Sequence, residues 1–291
     1  MRSLRFVSSI VLAAALAACG STDLVSRQRK AEVIAGNAGW SYQLIDAGMF
    51  DLVTYASPGR SDDLLVVYFE GDGLAFLGPR TISNDPTPTE PVALELAKLD
   101  PHPSVAYVAR PCQYTMKLGA RNCDPAYWTS RRYAPEVLAS MGSAVDALKR
   151  DAGAKRLILV GYSGGGAVAV LLASQRKDVV GIVTVSADLD LAFWTQRDGL
   201  SPLTGSLDPA DVAAKVEHIP QVHFVGEDDD VVGPSVTQSY LTHMTDRSHA
   251  RAIEVPHFDH VCCWVDQWPA LAARPELADV PGWSAGATAV R

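Results

Sequence analysis

A chain of 291 residues that is 48% hydrophobic and 20% charged carries enough apolar material for one large domain core. Its formal net charge of −8 argues against a polyanionic partner, because nucleic-acid binding needs clustered cations. The basic clusters are small, "RQRK" from Arg27 and the pair Arg131 and Arg132, and both are expected to be solvated faces.

The first residues do not read as fold material. "MRSLRFVSSIVLAAALAACGST" has a basic start at Arg2 and Arg5, a short apolar stretch and small residues before a cysteine, the build of a secretory signal. The stretch is too short to span a bilayer. Its end, "LAAC" at Leu16 to Cys19, resembles the lipobox of bacterial lipoproteins, which implies a signal over residues 1–18 and lipidation of Cys19. The alternative is ordinary cleavage near Ala18. Either way the protein is expected to be exported, and the lipoprotein reading places it in the bacterial cell envelope, with membrane contact through the N-terminal lipid. Residues 19–37 are polar with little periodicity and are expected to form a tether; residues 38–291 are expected to form one large domain.

Beyond the tether come short β-rich runs: "YQLI" at Tyr42, "FDLVTYA" at Phe50, "LLVVYF" at Leu64, "SVAYVA" at Ser104, "RLILVG" at Arg156, "VVGIVTVSA" at Val179, "QVHFVG" at Gln221 and "RAIEV" at Arg251. Helical stretches separate the later ones. The clearest is "APEVLASMGSAVDALKRDAG" from Ala134, with Pro135 in the first turn and Gly153 past the end. Apolar strands alternating with helices predict an α/β fold, a mostly parallel central sheet with helices on both faces. Two stretches read as loops, residues 74–91 and "RDGLSPLTGSLDPAD" from Arg197. Both follow strand ends, where open α/β sheets place their sites.

Gly161-Tyr162-Ser163-Gly164-Gly165 fits G-x-S-x-G in the context that motif requires, a strand before and a helix after. Small flanking residues permit the tight turn that presents the hydroxyl above the sheet. A serine hydroxyl is a poor nucleophile alone, so it needs a base and an orienting acid. Both candidates follow at strand ends: "EDDDVVGP" carries Asp228, Asp229 and Asp230, and "PHFDHVCCW" carries His257 and His260. Upstream, "EGDG" from Glu70 can supply a backbone donor for a developing oxyanion near Asp72, the second donor coming from Gly164.

These segments resemble the α/β-hydrolases of the serine esterase and lipase type, with "EGDG" in the place of that family's "HG-x" loop. They are also similar to a set of exported bacterial hydrolases in which "YFEGDG", "ARPCQY", "GYSGGG", "GEDDDVV" and "DHVCCW" style segments occur in this order. The match spans roughly residues 63–269. The resemblance implies Ser163 as nucleophile, His260 as general base and Asp229 as its orienting acid, with ester hydrolysis through an acyl-enzyme, no cofactor, and a small acyl ester as substrate. Asp229 is preferred because family turns often read G-x-x-D, here from Gly226. Asp230 comes next, and Asp188 or Asp190 could substitute; His257 is the alternative base. Glu70 departs from the family's histidine, which leaves the bracing of that loop open.

Setting Cys19 aside, four cysteines remain, an even number in a compartment where disulfides persist. Three connectivities are possible. Pairing Cys112 with Cys123 closes a short loop and is the one expected here; Cys262 and Cys263 are then a vicinal disulfide or two thiols. Their spacing does not suit structural zinc. Arg110 and Gln113 beside that loop are candidates for substrate binding or for a structural salt bridge. The aromatic segments "WTSRRY", "FWT" and "CWVDQW" could line a pocket or belong to the core.

Other readings explain less. The glycine run from Gly164 formally fits a dinucleotide fingerprint, but it lies mid-chain and leaves the Asp and His turns unused. The acidic run could gather calcium, although neighbouring side chains in a turn diverge. A lipid-anchored binding or envelope-structural protein on a hydrolase fold is the non-enzymatic alternative. Oligomeric state is not legible.

Overall fold

The computed structural model describes residues 26–59 and 63–283. The signal at residues 1–18, Cys19 and the first part of the expected tether lie outside the described residues. Residues 26–37, expected to continue the tether, form helix α1 instead. Ala31, Ile34 and Ala35 bury one face of it, a three-and-four spacing that three apolar residues suffice to make. Arg27 is buried as well and donates to the carbonyls of Asp85 and Thr87, so "RQRK" is not a wholly solvated face.

The other elements follow in chain order: β1 (Ser41–Ala47), β2 (Phe50–Ala56), β3 (Leu64–Phe69), β4 (Phe76–Gly78), β5 (Thr81–Ile82), α2 (Val92–Leu99), β6 (Val105–Val108), α3 (Pro135–Ala152), β7 (Arg156–Tyr162), α4 (Gly164–Ala173), β8 (Val179–Val185), α5 (Leu191–Arg197), α6 (Ala213–Val216), β9 (Gln221–Gly226), α7 (Gly233–Thr242), β10 (Ala250–Val255) and α8 (Trp264–Ala272). Helix α3 starts with Pro135 at its first position and ends at Gly153, which takes φ 75° and caps it. The segment read as loop from residue 74 contains the antiparallel hairpin β4–β5.

Eight strands form one sheet in the order β1-β2-β6-β3-β7-β8-β9-β10. The first two pairings are antiparallel and the other five parallel. The central strands are buried on both faces and alternate between two cores: Leu65, Val67 and Phe69 pack with α3 and α4, while Leu64, Val66 and Tyr68 pack with α2 and α8. That double burial is why these strands read as unbroken apolar runs.

The chain leaves β3 toward β6 and leaves β7 toward β8, in opposite directions across the sheet. The connections therefore diverge between the carboxyl ends of β3 and β7, the point at which an open parallel sheet has a natural crevice.

Candidate active site

Ser163 is the single residue between β7 and α4 and sits at φ 51°, ψ −127°. A side chain with positive φ is strained. The strand before it and the helix after it hold that conformation, together with the bonds from Ser163 N to Val185 O (2.9 Å) and from Gly166 N to Ser163 O (2.9 Å). The turn is tight enough that a Cβ on Gly161 would overlap the Gly165 carbonyl, and one on Gly165 would overlap the Phe69 carbonyl of β3. Local sequence thus forces the serine outward over the sheet.

The structure brings Asp229 and His260 to this serine. His260 Nε2 lies 3.1 Å from Ser163 Oγ, and His260 Nδ1 lies 3.0 Å from Asp229 Oδ2. The other carboxylate oxygen of Asp229 accepts from the N–H groups of Val231 (3.0 Å) and Val232 (2.9 Å), which fixes the acid's rotamer. The Tyr162 hydroxyl donates to the His260 carbonyl (2.9 Å), so the residue preceding the serine also holds the histidine loop. The Asp229 side chain is fully enclosed and that of His260 is 15% exposed. Burial opposes a charged imidazole, but the Asp229 hydrogen bond and charge, with help from Asp188 and Asp72, outweigh it and raise the His260 pKa. Asp229 is likewise penalised by burial, and its bonds to His260 and Val232 nevertheless hold it below the usual carboxylate range.

The alternatives fall elsewhere. Asp230 is exposed, and the His257 side chain is 90% exposed and faces Asp228. Asp190 caps α5 through Phe193 N and accepts from Ser239 Oγ. Asp188 accepts from the Tyr133 hydroxyl at 3.0 Å, and burial pushes its carboxyl up to about 6; it acts on His260 through space without a hydrogen bond.

The loop after β3 lies against the serine: a Cβ on Gly71 would meet Tyr162 and Ser163 at 3.2 and 3.3 Å. Glu70 accepts from Gly71 N (2.9 Å), from the Tyr107 hydroxyl (3.1 Å) and, more weakly, from Ala93 N at the start of α2 (3.4 Å). Burial pushes its carboxyl up to about 7 against the pull of those donors. Asp72 is held by ion pairs to Arg110 (3.1 Å) and Arg132, with the Tyr133 hydroxyl at 3.4 Å from both of its oxygens. Burial opposes its charge, and the two guanidiniums overcome that and lower its pKa. Gly164 packs on this carboxylate so closely that a Cβ there would overlap it. Gln113 donates to the Gly71 carbonyl (2.9 Å) and accepts from Arg110 N (3.0 Å). Arg110 and Gln113 are therefore buried struts of this loop, and Arg110 forms the structural salt bridge that was one of its two readings. The sequence marked Asp72 for its backbone alone and took Arg132 for a solvated residue; its side chain is buried.

Cys112 and Cys123 are joined, their Cα atoms 5.6 Å apart, and Cys262 is bonded to Cys263. Among the described residues, no group of three or more His, Cys, Asp or Glu side chains is placed to share a metal ion, and no helix is long and apolar enough to cross a membrane.

No family model and no curated protein matches the chain. Solved structures do. An esterase of Pyrococcus furiosus, PF2001, superposes with a TM-score of 0.60 at 12% identity, over 85% of this chain and 94% of its own. A putative dienelactone hydrolase of Klebsiella pneumoniae gives 0.57 at 16%, over 82% and 96%. Est1E of Butyrivibrio proteoclasticus gives 0.53 at 14%, over 79% and 95%. The chain has the α/β-hydrolase fold. In this α/β-hydrolase one cleft adjoins Ser163, and a second lies beyond Arg132. The first, of about 240 Å³, holds Ser163, His260 and Val261 together with Gly71 and Asp72. The other, of about 590 Å³, runs between the β4–β5 hairpin and the loop after α5, with Arg132 and Trp194 in its wall. Of the aromatic segments, "FWT" contributes Trp194 to that wall and "WTSRRY" contributes Thr129, Ser130 and Arg132, whereas Trp128, Trp264 and Trp268 are core residues.

Proposed function

We propose that the chain is a serine hydrolase that cleaves carboxylic esters through an acyl-enzyme. The observation that carries this reading is the continuous hydrogen-bonded path from Ser163 Oγ through His260 to a fully enclosed Asp229, built on a strained turn. The solved structures named for esterase and dienelactone hydrolase activity support the same class.

His260 Nε2 takes the Ser163 proton as Oγ attacks the acyl carbon. The oxyanion forms between the backbone N–H groups of Gly164 and Asp72. Gly164 is the first residue of α4, so its N–H has no intrahelical acceptor, and that of Asp72 has none among the described residues. Asp229 keeps the imidazole in the tautomer whose Nε2 faces the serine and stabilises the imidazolium without being protonated. His260 then gives its proton to the leaving alcohol. Water, deprotonated by the same nitrogen, releases the acid and restores Ser163.

We also propose export through the signal at residues 1–18 and attachment to the envelope through lipidated Cys19, supported by the leader's composition; the mass of the mature N-terminal peptide tests it. The catalytic reading is tested by fluorophosphonate labelling with peptide mass spectrometry. The expected adduct is on Ser163, and Ser163→Ala abolishes both adduct and ester turnover. Retained turnover in the folded variant overturns the reading.

A further inference from the structure

An oxyanion donor at Asp72 works only if its N–H is aimed at the reacting carbonyl. A peptide unit is planar, and in the trans form its C=O and N–H point in opposite directions. The unit joining Gly71 to Asp72 is trans. Whatever holds the Gly71 carbonyl therefore sets the aim of the Asp72 N–H.

Gln113 holds that carbonyl. Its Nε2 donates to Gly71 O (2.9 Å), and its Oε1 accepts from Arg110 N (3.0 Å). These two partners leave the amide one orientation, since an N–H faces only its oxygen and a carbonyl only its nitrogen. The side chain is fully buried and takes no part in the wall of the cleft that contains Ser163, Gly71 and Asp72. It thus grips the loop from behind and turns the Asp72 N–H toward the cleft. Glu70 accepts the N–H of Gly71 (2.9 Å), so both polar groups of Gly71 are tied inside the protein.

The chain accepts strained backbone to place this amide. The residues on either side of it, Cys112 and Tyr114, have φ of 70° and 64°, a region that side chains avoid unless the surroundings enforce it. The enforcing contacts are present: Cys112 is bonded to Cys123, and Tyr114 N donates to Thr87 Oγ1 (2.7 Å). Gly73 leaves the amide its space, because a Cβ there would come within 2.8 Å of Gln113 Nε2.

We propose that Gln113 is the positioning residue of the oxyanion site: through the Gly71 carbonyl it aims the Asp72 N–H at the oxygen that gains charge as Ser163 attacks. It touches no reacting atom. The inference rests on the serine-hydrolase reading and adds to that site a residue from the β6–α3 connection. An amide that served stability alone would leave turnover per folded molecule intact.

The test is hydrolysis of p-nitrophenyl acetate by the full chain and by Gln113→Met, which keeps the bulk and removes both polar contacts. Turnover is expressed per serine titrated to completion with a fluorophosphonate, so misfolded molecules do not enter. The expected kcat is lower by about 10²-fold, the scale for losing one oxyanion donor, with KM unchanged. Phenylboronic acid, whose tetrahedral adduct carries an oxygen at the same place, is expected to bind more weakly by a similar factor. The acid limb of kcat/KM stays where it is, because His260 and Asp229 keep their partners. Gln113→Asn is one methylene too short to span Arg110 N and the Gly71 carbonyl; its expected loss is about ten-fold, and it decides the matter if Gln113→Met does not fold. A native kcat per titrated serine in either variant overturns the proposal, as does a loss confined to KM or a displaced acid limb. A native chain that is neither labelled nor active overturns the hydrolase reading itself, and this inference with it.

Discussion

Two aspartates flank Ser163, and they are held in different ways. Asp72, after β3, faces two guanidiniums and a tyrosine hydroxyl. Asp229, after β9, faces one imidazole and two backbone N–H groups. Both carboxyls lie below their ordinary pKa, yet the charge opposite each differs in kind. An arginine stays protonated throughout the working range, so Asp72 is locked into a fixed pair that positions backbone. A histidine titrates near neutrality, so the Asp229 pair can change its charge during a reaction. On the proposed reading, the same side chain is a strut on one side of the serine and part of a proton path on the other.

Substitution at each site separates these roles. Asp229→Asn is expected to give the largest effect, a loss in kcat of about 10⁴-fold, the scale known for misorienting a catalytic histidine. It also moves the acid limb of the kcat/KM profile. Only neutral His260 can accept the serine proton, and Asp229 raises the His260 pKa. The native limb therefore lies above the ordinary histidine value, and in the variant it shifts to lower pH; a limb that does not move breaks the assignment of Asp229. Asp72→Asn leaves Arg110 and Arg132 without their countercharge. It is expected to cost about 3 kcal/mol of stability, read by urea unfolding, and to lower kcat about 10²-fold through a displaced oxyanion donor. Its acid limb moves the same way but less, since Asp72 acts on His260 only through space. A stable Asp72→Asn enzyme with native kcat removes the strut role. The smallest change is expected from replacing Cys112 and Cys123 by alanine. Their bond closes a short loop beside Gln113, and its loss costs roughly 2–3 kcal/mol on the chain-entropy scale. Thermal unfolding with and without reductant checks that value.

The sequence carried the candidate site further than its surroundings. The serine turn was legible because its requirements are local: Gly161 and Gly165 stand where no side chain fits. The order of Ser163, Asp229 and His260 at the ends of β7, β9 and β10 was legible because a parallel sheet delivers its strand ends to one edge. The run "EDDD" did not distinguish its members, because burial of one and exposure of the next depends on the turn's path over α7 and the histidine loop. The helix over residues 26–37 was missed, since three small or branched apolar residues among charges are a weak signal without the sheet they cover.

What the sequence by itself determined is whatever is repeated or sterically local: alternating strands and helices, the capped ends of α3, and the glycine-flanked serine. The tertiary structure alone decided which distant charges meet. Asp72 follows β3, whereas Arg110 and Arg132 stand at the two ends of the β6–α3 connection, and Trp194 after β8 reaches the turn after the neighbouring β9. Such partnerships depend on where loops return to the carboxyl edge, and no pattern of neighbouring residues encodes that position.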